Sequence, residues 1–181
     1  MNFSPDQIST IGWSFGQAEK LNERYFHLGW GGFKQNKYEV KTRFHLDEHE
    51  VHNTAFAHLC RYFYQKHEDI DHPGNFYFFK ICLQDDRILD AIERSKSFIK
   101  LAPLMLYIAT HELIHVVRFN SGESDFDAPL EEKIVEEEKV HSITRSILQP
   151  IANAELKLVL DCFSDKLHIG DIFSEEQRLQ N

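Results

Sequence analysis

The segment 101–119 constrains the chain more than any other. From Leu101 to Thr110 eight of ten residues are apolar, Pro103 and Thr110 being the exceptions. A helix lying on a surface needs a polar face, and this one has none. It is therefore expected to run through the centre of the molecule, with Pro103 near its start, where a missing N–H costs little. The stretch is nearly long enough to cross a bilayer, but it carries His111, Glu112, His115 and Arg118. Charged groups at that density argue for a buried helix in a soluble chain and against a membrane partner.

Length and composition agree with that reading. At 181 residues the expectation is a single domain spanning 1–181, large enough to bury most of its unfolded surface. Hydrophobic residues make up 42% of it and include 15 phenylalanines, which excludes disorder and calls for an aromatic core. The formal charge of -9 has the wrong sign for neutralising phosphates, so no nucleic-acid partner is expected. Cys60, Cys82 and Cys162 are widely spaced and form no C-x-x-C pair. They read as core thiols in a reducing, cytoplasmic protein, and residues 1–7 show no secretory signal.

Periodicity supplies the elements. Ser4, Pro5 and Gln7 form a capping-box start, and Ile8, Ile11, Phe15 and Ala18 continue it as a helix over 5–24. Alternation through Tyr38, Val40, Thr42 and Phe44 predicts a half-buried strand. Asp47 is expected to cap a helix carrying Val51, Ala55, Leu59 and Phe63, ended by a turn at His72, Pro73, Gly74 and Asn75. A strand over 76–83 follows, then a short helix from Asp85, the central helix, a polar loop over 120–129 and a helix over 130–148. Pro150 separates a last helix over 151–167, which Gly170 closes. The fold class is α+β, mostly helical with a short sheet.

The central helix contains His111-Glu112-Leu113-Ile114-His115, an HExxH sequence. Histidines at i and i+4 share one helical face, so both imidazoles reach one ion, and Glu112 beside them reaches a water on it. A hydrolytic zinc site takes three protein ligands and keeps a fourth position open, which makes one Zn2+ the expected cofactor and demands a further ligand. The next helix offers Glu136, Glu137, Glu138 and His141. On its inward arc, set by Ile134, Val140, Ile143, Ile147 and Leu148, fall Glu137 and His141; Glu136 lies nearer Val140 and Glu138 points away. Glu137 is the first choice for the third ligand, with Glu138 and His141 as alternatives.

This order of strand, helix, HExxH helix, loop and glutamate helix, over about residues 76–148, resembles the gluzincin class of zinc metallopeptidases, the class of thermolysin. The resemblance implies a small zincin-like domain in which His111 and His115 bind zinc, Glu112 is the general base and Glu137 is the third ligand. It also implies a peptide or protein substrate, paired along an edge strand over 76–83. Members of the class tend to carry an acidic residue one turn after the third ligand; this chain has His141 there.

Other readings stay open. Glu112 with His115, and Glu138 with His141, repeat the Glu-x-x-His pair of di-iron carboxylate bundles. A non-catalytic metal sensor or interaction module on a zincin fold is a further alternative. His141 and Arg145 are candidates for stabilising an oxyanion. His45, His49 and His52 are expected to lie in a solvated helix start.

Overall fold

A computed structural model describes residues 1–64, 76–95 and 98–163, and these form an α+β fold, mostly helical with a small sheet. Helix α1 spans Pro5–Tyr25. Its start is fixed as the capping box requires: the Ser4 N–H donates to Gln7 Oε1 at 2.8 Å and the Gln7 N–H to Ser4 Oγ at 3.3 Å. Ile11, Phe15 and Ala18 are buried along one side and pack on the central helix, while Ile8 is exposed. Just after α1, Gly32 takes a positive φ of 46° beside Glu23. A Cβ there would sit 1.9 Å from the Glu23 carboxylate, which is already receiving the Phe33 N–H.

The sheet has the order β1-β3-β2. Strand β1 (Tyr38–Lys41) runs parallel to β3 (Phe76–Leu83), and β2 (Ala57–Tyr64) runs antiparallel to it. Phe79, Ile81 and Leu83 face the core, and the opposite face carries Lys80 and Cys82 against Cys60 and Tyr62. Three expectations are corrected here. Residues 57–64 form a strand, not a continuation of a helix from Asp47, and the only helical structure between Asp47 and that strand is a 3-10 turn over Glu48–Glu50. The strand over 76–83 is the middle of the sheet, so the edges are β1 and β2. The strand from Tyr38 stops at Lys41, because Arg43–His45 turns as a 3-10 helix.

Helix α2 (Asp85–Arg94) leads to α3 (Leu101–Ser121), whose residues from Leu104 to Arg118 are almost all buried, as its unbroken apolar run requires. Gly122 ends α3 in the left-handed region at φ 74°, and the Glu123 N–H donates back to the Arg118 carbonyl at 3.0 Å. Helices α4 (Leu130–Leu148) and α5 (Ala154–Cys162) pack against α3. Before α5, Gln149–Ile151 is a 3-10 turn and Asn153 is the cap, accepting the Leu156 N–H at 2.9 Å. The expected turn at 72–75 and the expected end of the last helix at 167–170 lie outside the described residues. Cys82 is buried and Cys60 partly so, but Cys162 is exposed, against the expectation of three core thiols.

No helix among the described residues is long and apolar enough to cross a membrane.

Candidate metal centre

Two helical stripes face one another. On α3, Tyr107, His111, His115 and Phe119 recur at four-residue spacing, and on α4 Glu137 and His141 do the same. The stripes meet beside a cleft of about 770 Å3 walled by residues 54–59 of β2 and the segment before it. His111 Nε2 and His115 Nε2 are 3.2 Å apart. Glu137 meets both, with Oε2 3.2 Å from His111 Nε2 and Oε1 3.1 Å from His115 Nε2. Desolvation would raise the Glu137 carboxyl, but the two imidazoles outweigh it and hold the group far below the usual carboxylate range. The reciprocal effect lifts His115: burial opposes its charge, and Glu137 more than compensates.

These spacings fit an ion. Two ligand atoms about 2.05 Å from one zinc at the tetrahedral angle lie about 3.3 Å apart, close to the 3.1–3.2 Å separations found here. His111, Glu137 and His141 also form a cluster whose ligand atoms all lie within 4.8 Å of one another. Potential metal-holding clusters of His, Glu and Cys are thus present, the other one among the described residues being Glu50, Cys60 and Cys82. In that second cluster the Lys80 ammonium already stands 2.6 Å from Glu50.

Glu112 follows His111 on α3 and borders the same cleft. Burial raises its carboxyl above the ordinary value; His111 and His115 pull it back in part, and Glu137 adds to the rise. A carboxylate raised in this way is a better proton acceptor than a surface one.

Comparison with protein-family models, with curated proteins and with solved structures finds no match to this chain.

The remaining sequence candidates separate clearly. Glu136 lines the same cleft but is held by Arg118, through Nε at 2.7 Å and Nη2 at 2.9 Å. Glu138 is exposed and outside the cluster. Arg145, considered for oxyanion binding, donates instead to the Leu160 carbonyl at 2.8 Å, tying α4 to α5. His141 Nδ1 lies 2.6 Å from the Tyr107 hydroxyl. By contrast, His111 Nδ1 and His115 Nδ1 are buried with no hydrogen-bond partner among the described residues. The acidic residue that would serve such a nitrogen in the gluzincin pattern is missing from the sequence at position 141, and among the described residues no other group takes its place.

His45, His49 and His52 are exposed, on 3-10 turns and loop rather than at a helix start. Glu50, between two of them, is fully buried. It accepts from Lys80 at 2.6 Å and from the Tyr62 hydroxyl. His49 Nε2 in turn lies 3.0 Å from that hydroxyl. Burial pushes the Glu50 carboxyl up, but the bonds from Lys80, Tyr62 and the Asp47 N–H outweigh it and hold the group at about 2. Tyr107, Arg118 and Glu50 carry no role in the sequence reading. Tyr107 could have been found there from its place four residues before His111; the partners of Glu50 are too far away in sequence to signal themselves.

Proposed function

We propose that the chain is a zinc-dependent hydrolase acting on peptide bonds, built as a small zincin-like domain. His111, His115 and Glu137 are its metal ligands and Glu112 its general base. The observation that carries this reading is the convergence of two imidazole nitrogens and one carboxylate at 3.1–3.2 Å beside a second carboxylate of raised basicity. Two imidazoles and a carboxylate are a donor set suited to zinc. When bound, the ion supplies Lewis acidity, polarising the scissile carbonyl and lowering the pKa of water to roughly 7.

The protein's own groups do the rest. Glu112 takes a proton from the attacking water and later delivers it to the leaving amine. His111, His115 and Glu137 are fixed by two packed helices, so their positions do not have to be organised during turnover. Strand β2 has a strand neighbour on only one side among the described residues. Its residues Ala57, His58 and Leu59 line the cleft, and an extended peptide can add to its unpaired edge as a further strand through backbone hydrogen bonds. That role belongs to β2 and not to the strand over 76–83.

The test uses Glu112→Gln. The variant should retain about one zinc per chain while its cleavage of a mixed-sequence peptide library, read by mass spectrometry, falls by roughly 10²–10⁴-fold. Equal cleavage by both proteins would refute the assignment of Glu112.

A further inference from the structure

We propose that His141 is a fourth, outlying protein ligand of the metal, held by Tyr107, so that the resting centre is closed by three histidines and one glutamate. This rests on the metal reading above and adds to it. His141 is one turn after Glu137 on the same face of α4, and its ring centroid is 4.6 Å from that of His111. With Glu137 and His111 it belongs to the 4.8 Å cluster. Metal-bound histidines usually have their second ring nitrogen held by a hydrogen-bond partner, which fixes tautomer and ring orientation. Among the described residues His111 and His115 lack that support at Nδ1, whereas His141 Nδ1 has it from the Tyr107 hydroxyl at 2.6 Å.

Tyr107 is built to be rigid. It is 2% exposed, and its ring stacks on Phe163 with centroids 4.3 Å apart and planes 11° off parallel. A phenolic oxygen can accept from an Nδ1–H, leaving His141 Nε2 as the nitrogen that meets the ion. Tyr107 is thus a positioning residue acting through His141. The arrangement orders the four ligands: Glu137 spans the two imidazole nitrogens of His111 and His115, which are 3.2 Å apart, one carboxylate oxygen to each at 3.1–3.2 Å, while His141 groups with Glu137 and His111 but not with His115. It is the ligand that can yield. Four protein ligands are the arrangement of closed zinc sites, and three with an open position that of hydrolytic ones. A displaceable His141 would keep the centre closed at rest and free a position when substrate enters.

The experiment compares wild type, His141→Gln, Tyr107→Phe and His115→Ala. Zinc affinity is read by competition with a chromogenic chelator, and the Co2+-loaded proteins are read by visible absorption and X-ray absorption. The wild type should show three imidazoles on the ion. His141→Gln should bind zinc about 10–100-fold more weakly, with an altered cobalt spectrum, and Tyr107→Phe should move both readouts in the same direction by less. Circular dichroism of the metal-free proteins checks folding. If His141→Gln does not fold, the imidazole count of the wild type and the Tyr107→Phe spectrum decide. Two imidazoles in the wild type, or unchanged affinity and spectrum in both His141 and Tyr107 variants while His115→Ala loses zinc, would overturn this proposal and leave the metal reading standing. That result would mean the opposite tautomer, with His141 Nε2–H acting as a donor. A wild type that binds no zinc would overturn both.

Discussion

Arg118 on α3 grips Glu136 on α4 with two N–H···O bonds, at 2.7 and 2.9 Å, and both side chains are buried, at 3% and 9% exposure. The fork fixes how α4 is rotated about its axis. Because Glu137 is the next residue, that rotation also sets where its carboxylate meets His111 and His115. Arg118 additionally donates to Glu123, so the loop leaving α3 is tied to the same guanidinium.

Removing one member of a buried ion pair strands the other. Arg118→Ala is therefore expected to destabilise the fold by about 3–5 kcal/mol, measured by urea denaturation, whereas replacing both partners with methionine should recover most of that loss. It should also weaken zinc binding, because Glu137 loses its fixed bearing. A change below about 1 kcal/mol would mean that the pair does not fix α4.

The three consecutive glutamates on α4 should behave differently from one another. Glu137→Ala is expected to lower zinc affinity by about 100-fold or more, since it removes one of three ligands, and Glu138→Ala to leave it unchanged. Competition titration with a chelator measures both. Equal losses from the two variants would contradict the ligand assignment and favour the di-iron alternative, which requires Glu138.

Acid sensitivity should report on Glu50. Its carboxyl sits at about 2 in the folded protein against an ordinary 4.5. Its bonds to Lys80 and Tyr62 therefore contribute stability that is fully present above about pH 4.5 and is lost as the pH falls towards 2. The melting temperature of the wild type should drop across that window. Glu50→Gln should start lower at pH 7 and show a shallower decline, as read by thermal melts at half-unit pH steps. Parallel curves for the two proteins would remove Glu50 from the acid response.

Metal removal should destabilise the protein without unfolding it, because α3 is anchored by an apolar core of Leu104, Met105, Leu113 and Ile114 that does not involve the site. At zinc concentrations about 1,000-fold above the dissociation constant, binding adds about 4 kcal/mol. Chelation should lower the melting temperature, and readdition of zinc should restore it. Melting that is indifferent to zinc would show that the folded state does not bind it.

Much of this site could be read from the chain because its information is local. The buried course of α3 follows from an unbroken apolar run, and the facing of Glu137 and His141 follows from helical phase against Val140, Ile143, Ile147 and Leu148, although Ile134, counted on the same arc, is exposed. Strand β2 could not be read in that way. Val51, Ala55, Leu59 and Phe63 recur at a helix-like spacing of four, while the strand's own alternation is hidden because residues on both of its faces are half-buried. Leu59 faces the core with Ile81, and Cys60 and Tyr62 face Glu50 and Lys80. Strand order is equally non-local: the edge position expected for the strand over 76–83 comes from the gluzincin resemblance, and the strand is found at the centre. Glu50 sits in a run of charged residues that suggests solvent, and it is buried because a lysine and a tyrosine from two different strands reach it.

The central claim is that α3 and α4 together hold one ion, and metal content tests it most directly. Inductively coupled plasma mass spectrometry of the purified protein after zinc reconstitution and desalting should find about one zinc per chain in the wild type and none in His115→Ala. A wild type that remains metal-free, or a His115→Ala variant that retains as much zinc as the wild type, would contradict it.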